Sequence, residues 1–125
     1  MKTVKRKVIL NVEDNPALRT LLREFLHHNG FTVVEAVDGE EAIRIADQVK
    51  PDLILMDIQL PKLSGLDATR AIRSRQGSKQ IPIIAVTGFA LSGDEENARG
   101  AGCDDYVAKP YDLDVLLEKV QEYVG

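Results

Sequence analysis

Five times along the chain, an apolar run of strand length gives way to a stretch whose apolar residues recur with helical period, and this alternation restricts the possible folds more tightly than any other feature. The strand-length runs are Lys7–Val12, Phe31–Ala36, Asp52–Asp57, Ile81–Thr87 and Tyr106–Ala108. Strands that return through helices run in one direction, so the alternation predicts a parallel sheet. Runs one, three and four are almost continuous in valine, isoleucine and leucine, as strands covered on both faces are, and belong in the centre. The second run carries Thr32 and Glu35, and the fifth is short with Asp104 and Asp105 ahead of it, which is how edge strands are blunted.

These placements predict the strand order 2-1-3-4-5: an α/β, flavodoxin-like doubly wound sheet of five parallel strands with helices on both faces. Ligands of such a sheet sit beyond the carboxyl ends of the strands where the winding reverses, here between strands one and three. Asn15 can cap the first helix, Pro16 suits its first position, Leu18, Leu21, Leu22 and Phe25 form its apolar face, and Gly30 ends it. The second helix opens at Asp38 with Glu41 as capping partner, aligns Ala42, Ile45, Ala46 and Val49, and stops before Pro51. A third starts near Gly65, and a fourth opens at Ser92 with Glu95 as partner. The fifth opens at Asp112 and turns Leu113, Leu116, Leu117 and Val120 inward.

A length of 125 residues, 44% of them apolar, suits a single domain over residues 1–125 and excludes a multidomain enzyme. With 16 Lys+Arg against 20 Asp+Glu the net charge is −4, so direct nucleic-acid binding is not expected. A single cysteine, no apolar run near ~18 residues and no charged-then-apolar leader point to a cytoplasmic protein without membrane contact. Because the fifth helix ends close to Gly125, an output domain is not expected, and output falls to a partner.

The carboxyl ends of the central strands carry Glu13 and Asp14 after strand one, Asp57 after strand three, Thr87 after strand four and Lys109 after strand five. Taken singly, each has a plain structural explanation as a cap, a strand end or a solvated side chain. Together, three crowded carboxylates repel one another, and such a cluster is tolerated when a hard divalent cation such as Mg²⁺ binds there through oxygen. With a lysine beside them, the set can receive a phosphoryl group, whose transition state is stabilised by positioning and by charge on its equatorial oxygens. Asp57 is then the nucleophile, since carboxylates form aspartyl phosphates.

Four fragments carry a family resemblance: "VEDN" at Val12–Asn15, "PDLILMDIQLPKLSG" at Pro51–Gly65, "IPIIAVTGFA" at Ile81–Ala90 and "DYVAKP" at Asp105–Pro110. In order and spacing they resemble the CheY-like response-regulator receiver domains of two-component signalling, over nearly the whole chain. The wording is most similar to single-domain regulators of the DivK type and to receivers of hybrid histidine kinases.

The resemblance implies that Asp57 is phosphorylated by a histidine kinase or histidine phosphotransfer protein. It implies Mg²⁺ held by the Asp14 and Asp57 side chains and the Gln59 backbone carbonyl, with Glu13 holding a metal-bound water. Thr87 and Lys109 would meet the phosphoryl group, and Tyr106 would be the aromatic switch that follows Thr87. The Lys109–Pro110 bond is implied as a cis candidate. Gln59 and Phe89 fall at the lifetime-tuning positions, and the apolar ring of Phe89 predicts slow self-dephosphorylation. A downstream protein would read the face made by helix four, strand five and helix five. The domain would assist its own phosphorylation without being a turnover enzyme.

An aspartate-nucleophile phosphatase of the haloacid-dehalogenase kind is the main alternative, and it needs a second Asp two residues after the nucleophile, where this chain has Gln59. A flavodoxin-like electron carrier lacks support, because no Ser/Thr/Gly-rich loop follows strand one and there is no Trp. Lys2, Lys5, Arg6 and Lys7 read as a solubilising lead-in, His27 and His28 as complements to a helix dipole, and Cys103 as a small packed residue.

Overall fold

The computed structural model describes residues 6–75, 80–88 and 93–124. Within them the chain runs β1 (Val8–Val12), α1 (Pro16–His28), β2 (Thr32–Ala36), α2 (Gly39–Val49), β3 (Leu53–Asp57), α3 (Gly65–Arg75), β4 (Ile83–Thr87), α4 (Asp94–Ala101), β5 (Asp105–Ala108) and α5 (Leu113–Val124). The strands form one parallel sheet in the order β2-β1-β3-β4-β5, which is the order and the pair of edges expected.

Alternation along each strand divides the core in two. Ile9, Leu53, Leu55, Ile84 and Val107 face Leu22 and Leu26 of α1 and Leu116 and Val120 of α5. Leu10, Val12, Ile54, Met56, Ile83 and Ala85 face the other layer, with Ala42, Ala46, Ala68, Ile72 and Ala98 of α2, α3 and α4. Every residue of β3 and β4 is buried, which accounts for their unbroken apolar character. Each large apolar side chain so covered contributes roughly 1.5–3 kcal/mol of burial free energy.

Helix ends follow the polar signals. Asn15 Oδ1 accepts the N–H groups of Ala17 at 3.0 Å and Leu18 at 3.1 Å, and Pro16 is the first residue of α1. Asp38 Oδ1 accepts the Glu41 N–H at 2.8 Å while Glu41 Oε1 accepts the Val37 N–H at 3.1 Å, a reciprocal cap that starts α2. His27 and His28 lie in the last turn of α1, and Cys103 is buried, as expected.

One expectation on α1 is corrected. Leu21 is 49% exposed, and Leu26 takes the buried place assigned to it. At about 100° per residue, Leu21 sits to one side of the Leu18–Leu22–Leu26 stripe, whereas Leu26 lies one turn beyond Leu22 on it. Helix α4 begins at Asp94, with Gly93 at its N-cap in the left-handed region at a φ of 93° and no side-chain cap among the described residues. Ser92, expected as that cap, lies outside the described residues, as do Lys2 and Lys5. No helix among the described residues is long and apolar enough to cross a membrane.

Candidate functional site

β1 and β3 are neighbours, with Val12 opposite Met56, so the segments that leave their carboxyl ends start side by side. The Glu13 N–H still bonds the Ala36 carbonyl at 3.0 Å, which carries the strand course one residue past β1 and turns Glu13 inward. Glu13, Asp14 and Asp57 each bring a carboxylate oxygen into a cluster whose members lie within 4.8 Å of one another. Glu13 and Asp57 are 2% and 3% exposed, while Asp14 faces solvent.

Lys109 arrives from the end of β5. Its Nζ donates to Glu13 Oε1 at 2.7 Å and to Asp57 Oδ2 at 3.2 Å. The other Asp57 oxygen, Oδ1, accepts the Gln59 N–H at 2.9 Å. Glu13 Oε2 accepts the Asn15 N–H at 3.0 Å, so the acid is held by the same turn that caps α1.

Burial pushes the Glu13 carboxyl above its ordinary range; Lys109 and the Asn15 N–H pull it back only in part, and the Asp57 charge adds to the rise. For Lys109, burial works against the cation, but bonding to Glu13 and the charges of Glu13 and Asp57 outweigh it and hold the ammonium above its usual value. Two buried carboxylates sharing one ammonium group, with a third open to water, form a hard-oxygen donor set that fits Mg²⁺.

Thr87 is fully buried at the end of β4, and its carbonyl accepts the Lys109 N–H at 2.6 Å. The peptide bond between Lys109 and Pro110 is cis, as the resemblance implied. Tyr106 lies on β5 opposite Ala85, half-buried against the core layer under α2, α3 and α4. Gln59 directs its side chain toward Gly88, where an added Cβ would lie 3.2 Å from Gln59 Oε1. Phe89 lies outside the described residues.

Three residues stand at the site in roles that the sequence does not assign. Gly65 begins α3 directly against the backbone of the Asp57–Ile58 segment, where any side chain would overlap the Asp57 carbonyl. The hydroxyl of Tyr111 is buried with no hydrogen-bond partner among the described residues. Burial, followed by the charges of Glu13 and Asp57, holds that phenol far above its ordinary value, so Tyr111 stands in the field of the acidic cluster. The third is Arg19 on α1, which contacts the Glu13 and Asp14 backbone.

Residues 9–121 match the family model for the response regulator receiver domain. Over 119 residues the chain is 40% identical to the polar-differentiation response regulator DivK of Brucella anthropi, covering 95% of this chain and 97% of that relative. The fold is similar to the receiver domain of the sensor histidine kinase PA1611 from Pseudomonas aeruginosa, whose crystal structure has a magnesium ion coordinated in the active site cleft. The TM-score is 0.88 at 42% identity, covering 97% of this chain and 99% of that one. A chain in the co-crystal of the Saccharomyces cerevisiae phosphotransfer protein Ypd1 with the receiver domain of its downstream response regulator Ssk1 matches with TM-score 0.86 and 33% identity, over 98% of this chain and 91% of that one.

Proposed function

The chain belongs to the response regulator receiver domain family, and from that premise we propose that Asp57 is its phospho-acceptor and that phosphorylation switches its binding to a partner. The convergence of Glu13, Asp14, Asp57 and Lys109 on one rim carries this reading.

The donor is a phosphohistidine on a histidine kinase or phosphotransfer protein, a reading supported by the kind of complex that Ypd1 and Ssk1 form. An Asp57 carboxylate oxygen attacks phosphorus and an O–P bond forms. The P–N bond to the donor imidazole breaks, and its electron pair stays on the nitrogen, which regains a proton when the ring leaves. Asp14, Asp57 and the Gln59 carbonyl would hold Mg²⁺, with Glu13 acting through a water; the cation supplies countercharge to the phosphoryl oxygens. Lys109, already 3.2 Å from Asp57 Oδ2, exchanges a carboxylate oxygen for a phosphoryl oxygen. The Thr87 hydroxyl turns to the same group, and Tyr106 follows it inward, altering the α4–β5–α5 face that a downstream protein reads.

Gln59 and Phe89 set the lifetime. The apolar side chain of Phe89 orients no attacking water, so self-dephosphorylation is slow. In this reading residues 1–125 act as a single cytoplasmic domain that assists its own phosphorylation and turns over no external substrate. Incubation with acetyl phosphate and Mg²⁺ tests the acceptor: the parent gains ~80 Da, the mass of one phosphoryl group, and Asp57→Asn gains nothing. Equal labelling of both overturns the assignment.

A further inference from the structure

Helix α1 sends one long side chain back to the turn that precedes it. Arg19 Nη1 donates to the Glu13 carbonyl at 3.0 Å and lies 3.4 Å from the Asp14 carbonyl. Its Nε lies 4.0 Å from Glu35 Oε2 on β2, and Glu35 Oε1 accepts from Arg23 Nη1 at 3.1 Å. The Arg19 and Glu35 side chains are 21% and 24% exposed, so the contact is partly shielded from solvent and salt. Glu35 Oε2 is buried with no hydrogen-bond partner among the described residues, which leaves it reliant on the nearby guanidinium charge.

The two carbonyls belong to the two consecutive acids of the cluster, so one guanidinium touches the backbone from which both carboxylates spring. Mutual repulsion drives such carboxylates apart unless the chain holds them. A planar fork can hold carbonyls along one edge and a carboxylate along another, which a lysine ammonium cannot do. We propose that Arg19 is a positioning residue of the acidic site, holding the Glu13–Asp14 backbone by its carbonyls while Glu35 on the edge strand holds Arg19. This rests on the reading of Glu13, Asp14 and Asp57 as a divalent-cation site. Charge alone would act the other way, since a cation near the cluster disfavours a second one; Glu35, shared with Arg23, offsets that charge only in part, and Arg19→Lys, which keeps the charge, separates the two effects.

Calorimetric titration of Mg²⁺ into the parent, Arg19→Lys, Arg19→Met and Glu35→Gln at constant ionic strength, with a thermal melt of each, tests the proposal. Both Arg19 variants should raise the Mg²⁺ Kd by about tenfold or more, the effect of removing a residue that orients metal ligands. Glu35→Gln should give a smaller rise. An unchanged Kd beside a lowered Tm would make Arg19 a structural brace only and overturn the proposal. Tighter binding by Arg19→Met with Arg19→Lys unchanged would assign a charge effect and overturn it equally. Should Arg19→Met fail to fold, Arg19→Lys and Glu35→Gln decide by the same comparison. A parent that binds no Mg²⁺ would instead remove the site reading and this inference with it.

Discussion

Lys109 Nζ lies 3.2 Å from Asp57 Oδ2 although 52 residues separate them, and the contact joins the ends of β5 and β3 across the intervening β4. The same ammonium group also serves the buried Glu13 carboxylate. Lys109→Met removes that countercharge and leaves two nearly inaccessible carboxylates facing each other. Without divalent cations the variant should lose about 2 kcal/mol, as expected for leaving buried polar groups unpaired. Saturating Mg²⁺ should restore part of the loss, because a ligand of the folded state adds to its stability. Urea unfolding with and without Mg²⁺ measures both, and equal stability of parent and variant in metal-free buffer would contradict the role given to Lys109.

Gly65 predicts a steric effect on the acceptor. A Cβ there would overlap the Asp57 carbonyl and lie 2.6 Å from Ile58 Cα, and backbone cannot swing aside as a flexible side chain can. Gly65→Ala should destabilise by about 3 kcal/mol, the upper part of the range for overpacking. It should also slow labelling by acetyl phosphate by displacing the β3–α3 segment that carries Asp57. Wild-type melting and labelling in the variant would show that α3 can retreat without cost.

Cys103 is 5% exposed, and its thiol donates toward Thr69 Oγ1 at 3.8 Å. Burial pushes the thiol above its ordinary value, and the Thr69 contact only partly opposes this, so thiolate is scarce at neutral pH. Ellman's reagent should therefore label the native protein far more slowly than the urea-unfolded chain. Comparable rates would mean that the α4–β5 turn opens freely.

Burial on both faces writes itself into composition, which is why LILMD and IIAVT could be read as central strands and the sheet order inferred from them. Once strand direction is known, residues at carboxyl ends are neighbours whatever their separation, so Glu13, Asp57 and Lys109 were legible together. Leu21 was not, because residue type says it is apolar while only the exact helical angle says it lies off the stripe. Arg19, Gly65 and Tyr111 escaped for another reason. Arg19 and Gly65 act on backbone carbonyls through a reach or an absence of volume, and Tyr111 through burial beside charge, none of which leaves a period or a polar cluster in the sequence.

Asp105 carries the pH prediction. Burial opposes its ionised form, but the Tyr106 N–H at 2.8 Å, Lys119 Nζ at 3.2 Å and the Tyr123 hydroxyl at 3.3 Å together outweigh it and hold the carboxyl below its ordinary value of 3.8. A carboxyl depressed on folding adds stability that is complete above its unfolded pKa and is lost as pH falls through the lower folded one. Asp105→Asn keeps the shape and removes the charge that Lys119 and Arg99 face. The parent should therefore be the more stable protein at neutral pH, and the gap should hold down to about pH 4, near the ordinary Asp value. Below that it should narrow as Asp105 takes up its proton. Urea midpoints of both proteins at pH 7, 5 and 3 trace the gap. One that stayed constant into acid would mean that the Lys119–Asp105–Tyr123 contacts contribute nothing through charge.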